Sequence, residues 1–246
     1  MKFSSVEWHE RLASTNSVLL EWVREGRELA SGFVVAAHQQ TSGRGRYERK
    51  WVAPAGKNLT FSFLLETGDQ AEKMVSLAMA VALGVAEVLE GFGVEAQTKW
   101  PNDVLVGGKK ICGILAEGGH GSGNSVVVGV GVNVNMDAGE LARVDRPATS
   151  LLGEVGVVHE VEDVLERMLV ALEKWIERWE QGGFSALKDE WKKRCVGIGE
   201  YVSVGEGEDV QKGILDGFGH AGQLRLRRDD GSVSEVWVGD MDAGEI

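Results

Sequence analysis

Cysteine, net positive charge and long apolar runs are all scarce in this sequence, and each scarcity argues against a class of protein. Cys112 and Cys195 are its two cysteines, far apart and in no CxxC spacing. They give no support to a disulfide framework or a structural zinc site, and reduced thiols in a cytosolic setting are the expectation. Acidic residues outnumber basic ones 38 to 26, a net charge of −12. A general nucleic-acid binder needs a basic surface to neutralise phosphates, so no DNA partner is expected. A locally basic loop in such a chain reads better as a site for a small anion. No apolar run approaches the roughly 20 residues that span a bilayer, and the opening MKFSSVEWHERL is too polar for a signal peptide. The expected location is cytoplasmic, with no membrane partner. Catalytic signatures are missing too. The chain has no GxxxxGK[ST] phosphate loop, and its five histidines form no HExxH, Ser–His or Cys–His arrangement. P-loop and hydrolase chemistry are therefore disfavoured.

What is present is an ordinary globular composition, 43% hydrophobic and 26% charged over 246 residues. That length suits one large domain, or a large and a small one. Ser14-Thr15-Asn16-Ser17 ahead of Val18-Leu19-Leu20, with Gly26 beyond, predicts a capped helix of about ten residues. Whether Ser14 to Asn16 serve as caps or also line a pocket stays open at this level. Residues 33–37 and 59–65 read as strands. Residues 72–92 place Val75, Leu77, Ala78, Val81, Val85, Val88 and Leu89 at the spacing of a buried helix. A strand over 96–100 follows, then a hairpin of 104–106 and 111–116 about Gly107-Gly108, a turn-rich loop at 118–124 and a strand over 125–133. Pro147 to Leu152 starts a helical turn, and amphipathic helices are expected at 161–181 and 185–194. Beyond the glycine-spaced segment 195–199, short alternating segments at 201–204, 211–215, 223–226 and 233–238 predict a small β domain. The expected division is 1–195 and 196–246.

Two stretches carry chemistry. Gly43-Arg44-Gly45-Arg46-Tyr47-Glu48-Arg49-Lys50-Trp51 follows a strand. Its glycines allow close approach to a ligand, and its arginines supply forked donors for carboxylate or phosphate oxygens. Lys99-Trp100-Pro101-Asn102-Asp103 sets a cation at a strand end before a rigid break. Gly129-x-Gly131-x-Asn133 lacks the third glycine and the following helix of a dinucleotide loop. Its glycines mean either room for a ligand against the sheet or simple weakening of a strand. Residue chemistry alone stops at an α/β domain that binds a small carboxylate, a nucleotide phosphate, or both.

Taken together and in order, several motifs resemble those of biotin protein ligases. They are Ser14-Thr15-Asn16; Gln40 ahead of Gly43-Arg44-Gly45-Arg46-x-x-Arg49-x-Trp51; Lys99-Trp100-Pro101-Asn102-Asp103; Lys110-x-x-Gly113-Ile114-Leu115-x-Glu117; and Gly129-x-Gly131-x-Asn133. The resemblance covers almost the whole chain. It implies an α+β fold, with a central mixed sheet flanked by helices as in class II aminoacyl-tRNA synthetases and a small SH3-like C-terminal β-barrel.

The implied reaction has two steps. Biotin carboxylate attacks the α-phosphate of ATP to give biotinyl-5′-adenylate and pyrophosphate, and a lysine of a biotin carboxyl carrier domain then takes the biotinyl group. By the same resemblance, Ser14, Thr15, Asn16 and Gln40 contact the biotin head group. Arg44, Gly45 and Arg46 close over biotin and the adenylate, and Gly113 borders the biotin site. Arg49 reaches phosphate, Trp51 walls the pocket and Asn133 lies beside the nucleotide. Lys99, with Arg46 the implied catalytic pair, bridges the biotin carboxylate and α-phosphate. Mg2+ accompanies ATP, with protein ligands that the sequence does not identify. Many members have glycine where this chain has Glu48, which implies altered loop mobility. Thirteen residues precede Ser14, too few for the N-terminal DNA-binding domain of some members, so a monofunctional ligase is expected. A homodimer through sheet edges stays open. The competing readings are a non-catalytic biotin- or biotinyl-adenylate-binding regulator and a lipoyl or octanoyl transferase on the same fold.

Overall fold

In the computed structural model, which describes residues 1–67, 74–118, 125–205 and 209–243, strands outnumber helices and two sheets organise the chain. In order, the elements begin β1 (Ser5–His9), α1 (Thr15–Arg24), β2 (Phe33–Ala37), β3 (Gln40–Arg44), β4 (Lys50–Ala53), β5 (Asn58–Glu66) and α2 (Met74–Gly91). Next come β6 (Gln97–Lys99), β7 (Asp103–Val106), β8 (Lys109–Gly118), β9 (Ser125–Asn133), α3 (Ala138–Leu141), α4 (Leu151–Val155), α5 (Val161–Gly182) and α6 (Lys188–Arg194). The C-terminal strands are β10 (Tyr201–Gly205), β11 (Gln211–Phe218), β12 (Leu224–Arg227), β13 (Val233–Val236) and β14 (Asp240–Ala243).

The large sheet has the order β1-β2-β5-β9-β8-β7-β6. β1 and β2 are parallel and the remaining pairs antiparallel, so the sheet is mixed, as expected. The β7–β8 turn uses Gly107 and Gly108 at φ 54° and 75°. Two successive positive φ values match the twist of a tight hairpin and suit glycine. Alternation along β9 decides what each face carries. Val126, Val128, Val130 and Val132 point into the main core with α2 and α5, while Val127, Gly129, Gly131 and Asn133 alternate with them. On that second face Val127 packs with Val35 and Leu64 under Leu19 and Leu20 of α1. α1 is short, and the sheet beside its N-terminus is left for the site.

α2 is long and apolar enough, by length and composition, to cross a bilayer. Its residues are instead mostly buried, and it packs against α5. The crossing is close at Gly84, where a Cβ would sit 2.8 Å from Leu172 Cδ2. Trp175 and Trp179 of α5 bury their rings and keep indole partners, donating to Glu87 Oε2 at 2.8 Å and Ser76 Oγ at 3.0 Å.

The C-terminal strands form an SH3-like antiparallel sheet of order β13-β12-β11-β10-β14. It shares one apolar cluster with the large sheet's helices. Phe218 meets Phe184 and Trp191 at 5.8 and 6.3 Å between ring centroids, and Trp100 Nε1 donates to Gly222 O at 3.0 Å. A seam of this kind holds the small sheet in place rather than letting it swing on a linker.

The structure departs from the sequence expectations in several places. β1, the β3–β4 hairpin and β14 were not anticipated. The helix expected from residue 185 begins with a 3-10 turn at Gly183–Ala186 and becomes α-helical at Lys188. Glu72, the expected start of α2, and residues 119–124 of the expected loop lie outside the described residues.

Candidate active site

The N-terminus of α1 builds one wall of a cavity of about 440 Å³, a size usual for small-molecule sites. Ser14 is the N-cap, accepting from Ser17 N at 3.4 Å, and it also lines the cavity. Capping and pocket-lining are thus one role at this position. Thr15 N donates to Gln40 Oε1 at 2.7 Å, which aims that amide across the cavity end. Asn16 is held on every side. Its Nδ2 donates to Leu115 O at 3.1 Å and Glu117 Oε2 at 2.8 Å, and its Oδ1 accepts from buried Ser62 Oγ at 2.5 Å. Gly129 makes room for it, since any Cβ there would collide with Asn16 Oδ1.

Gly131 plays the same part for Trp51. A Cβ at Gly131 would lie 2.7 Å from the indole Nε1 and Cζ2. The two glycines therefore clear space for the protein's own side chains, an answer to the choice between ligand room and strand weakening. Gly131→Ala is expected to push Trp51 out of place. The midpoint of denaturant unfolding should fall, and an unchanged midpoint would overturn the assignment.

Over this wall folds the β3–β4 hairpin, with Gly43 and Arg44 paired to Trp51 and Lys50. Its tip holds Tyr47 and Glu48 at φ 54° and 58°. That left-handed region disfavours residues with a Cβ by about 1–2 kcal/mol, which explains why glycine suits the Glu48 position. Glu48→Gly is expected to stabilise the protein by up to about 1 kcal/mol after glycine's own entropic cost. The midpoint of denaturant unfolding measures it, and a lowered midpoint would contradict the account.

Charge is matched almost pair by pair. Arg44 Nη2 lies 2.7 Å from Glu117 Oε2, and Lys110 Nζ 2.6 Å from Asp103 Oδ1. Arg46 donates to Gly239 O and Asp240 Oδ1, both at 3.1 Å, and to Tyr47 OH at 3.1 Å. Arg49 binds Asp240 Oδ2, and Arg146 Nη1 stands 3.8 Å from the same oxygen. Burial alone would raise the Asp240 carboxyl pKa. The hydrogen bond and charge of Arg49, with the charges of Arg46 and Arg146, hold it below the usual carboxylate range instead.

Eleven of the twelve residues singled out in the sequence line this cavity: Ser14, Thr15, Asn16, Gln40, Arg44, Gly45, Arg46, Arg49, Trp51, Gly113 and Asn133. Asn133 is tied in place, donating to Thr149 O at 2.9 Å and accepting from Asn58 Nδ2 at 3.2 Å. Lys99 is the twelfth and is not in the lining. It ends edge strand β6, with Nζ donating to Asp242 Oδ1 at 3.2 Å. Two lysines do line it, Lys50 and Lys110, and Lys110 Nζ lies over Gly113 and 5.9 Å from the Trp51 ring centroid. Sequence reasoning gave no role to Lys110, Asn102 or Asp103, although the motifs contain them. It missed Arg143, Arg146 and Asp240 outright. Among the described residues no group of three or more His, Cys, Asp or Glu side chains could hold a metal ion.

Neither cysteine offers a nucleophile. Burial pushes the Cys195 thiol up to about 12 and that of Cys112 higher still, so both stay protonated at neutral pH. The folded protein should resist a thiol reagent that labels both cysteines once it is denatured. Rapid labelling of the native state would refute this.

Fold and site together define a mixed-sheet domain in which two arginine-bearing segments and a C-terminal strand line one cavity of small-molecule size. Residues 8–135 match the Biotin/lipoate A/B protein ligase family. The sequence is 34% identical to the biotin–[acetyl-CoA-carboxylase] ligase of Paracoccus denitrificans, across 93% of this chain and 99% of that protein. It is 32% identical to the bifunctional ligase/repressor BirA of Escherichia coli, across 95% of this chain and 70% of BirA. Among solved structures, the biotin protein ligase of Aquifex aeolicus in complex with biotin and ATP superposes with a TM-score of 0.83 at 28% identity, covering 98% of this chain and all of that one. The chain belongs to the biotin/lipoate A/B protein ligase family, on its biotin protein ligase side.

Proposed function

We propose that this chain joins biotin to ATP as biotinyl-5′-adenylate and passes the biotinyl group to a lysine of a biotin carboxyl carrier domain. The observation that carries this reading is the gathering of a hydrogen-bonding end and an arginine-rich end in one cavity. Gln40, fixed by Thr15 N, leaves its Nε2 to donate to a ligand, and Ser14 has a hydroxyl beside it. Asn16 has spent both amide hydrogens on the protein, so it meets a head group as an acceptor. Trp51, laid on Gly131, supplies the apolar wall.

At the other end the chemistry is electrostatic. A carboxylate and a phosphate repel each other, and bringing them together is the first requirement. Arg46 and Arg49 from the hairpin and Arg146 from the segment before α4 converge on one point, where fixed donors can take charge developing on the α-phosphorus oxygens. The carboxylate oxygen attacks phosphorus and pyrophosphate leaves. In the second step the carrier amine attacks the acyl carbon, loses a proton and expels AMP. No side-chain nucleophile is needed, in keeping with the two protonated thiols, and a thiol-dependent acyl transferase finds no accessible cysteine here. Mg2+ would ride on phosphate oxygens and water rather than on a protein cage.

Incubating the protein with biotin, MgATP and a carrier domain tests the reading. Mass spectrometry should find one biotinyl group on the carrier. Folded protein that leaves the carrier unmodified would reject catalysis and favour a binding regulator.

A further inference from the structure

Two of the anions at this site come from the C-terminal sheet. Asp240 and Asp242 lie two apart on β14. Between them they hold Arg46, Arg49, Arg146 and Lys99. Those four cations come from the β3–β4 hairpin, the segment before α4 and the end of β6. Asp240 is itself part of the cavity lining, 17% exposed at its side chain, whereas Asp242 is 69% exposed at the rim.

Three guanidinium groups do not converge on one point unless an anion is there to receive them. A carboxylate and a phosphate offer the same thing to a guanidinium fork, a pair of oxygens at about the same spacing. We propose that β14 carries resident counter-anions of the phosphate subsite: in the nucleotide-free protein Asp240 keeps the three arginines converged and Asp242 holds Lys99 outside the lining, and both surrender their cations to the nucleotide's phosphates. This rests on the reading of those cations as phosphate-binding groups. The exchange makes and breaks no covalent bond. Four charge-assisted contacts pass from carboxylate oxygens to phosphate oxygens, and both carboxylates turn to solvent.

The exchange has a cost that the protein meets on every turnover. Nucleotide affinity is lowered by the work of displacing Asp240, as for any ligand whose binding-competent state is one of two. The C-terminal sheet thereby takes part in nucleotide binding, and an incoming anion that contacts only one arginine is a poor competitor for the bound carboxylate. A polyphosphate, able to satisfy several cations at once, is a good one.

Inorganic pyrophosphate binding to the full chain, followed by calorimetry, tests this. Asp240→Asn removes the charge at nearly constant shape and should tighten pyrophosphate binding about tenfold, while Asp240→Glu should restore weaker, wild-type-like binding. Unchanged or weaker binding by Asp240→Asn would overturn the proposal. Should that variant not fold, Asp242→Asn at the exposed rim decides, with tightening of a few-fold expected from the released Lys99 and no tightening as the contrary result. Wild-type protein that binds no pyrophosphate would instead overturn the phosphate reading of the four cations, and this inference with it.

Discussion

Lys99→Ala is expected to slow biotinyl-adenylate formation by about 10²- to 10³-fold, the usual loss when one preorganised stabiliser of developing charge is removed. Folding should be nearly unaffected. Among the described residues the lysine's one ion pair is to Asp242, whose side chain is 69% exposed, and such pairs contribute about 0–1 kcal/mol. The weakness of that pair is also what suits Lys99 to its proposed role, since an ammonium held loosely at the rim can transfer to a substrate anion at little cost. Lys110→Ala is the comparison that gives the experiment its force. Lys110 already lies inside the cavity, against Gly113 and Trp51. ATP–pyrophosphate exchange should collapse in Lys99→Ala. Near-normal exchange there, with a collapse in Lys110→Ala, would move the role to the interior lysine.

How much of this could be read before folding depended on the range of the interaction. Helix α5 was legible because its apolar residues recur along one stripe, which must be buried, and α2 because a helix apolar nearly all round belongs in a core. The hydroxyl and amide residues at the start of α1 were legible because capping is local chemistry. The β3–β4 hairpin was seen only as an arginine–glycine loop. Its strands are short and only β3 is polar throughout, so nothing periodic marks them. β1 was missed for a like reason, being an edge strand whose first two residues are exposed. β14 is the most instructive omission. Asp-Met-Asp-Ala reads as an acidic tail, and no local rule says that its first carboxylate meets an arginine 194 residues earlier. Gly129 and Gly131 were noticed, but their partners Asn16 and Trp51 come from other elements. Of the site, then, the donors of the hairpin were visible, while Arg143, Arg146 and the counter-ion Asp240 were not.

Arg46→Gly should uncouple activation from delivery. In the nucleotide-free protein Arg46, together with Arg49, ties the hairpin to the C-terminal sheet, through Gly239 O and Asp240, while its other terminal nitrogen holds Tyr47 OH. Removing it deletes the bond to Gly239 O and the one that passes from Asp240 to the phosphate, both from a charged guanidinium, and hydrogen bonds to charged groups contribute about 1.5–3 kcal/mol each. Two effects are expected together. Retention of the adenylate should fall by about 10²-fold or more, because 1.4 kcal/mol corresponds to a factor of ten. Escaped adenylate, a reactive mixed anhydride, should then acylate lysines on bystander proteins. Arg49, which keeps its own bond to Asp240, should preserve part of the phosphate subsite, so adenylate formation is reduced less than its retention. Both rates can be followed in one mixture containing a carrier domain and an unrelated lysine-rich protein. Labelling confined to the carrier, at any concentration of the variant, would mean that the hairpin closes without Arg46. Arg46 would then have no part in keeping the intermediate inside.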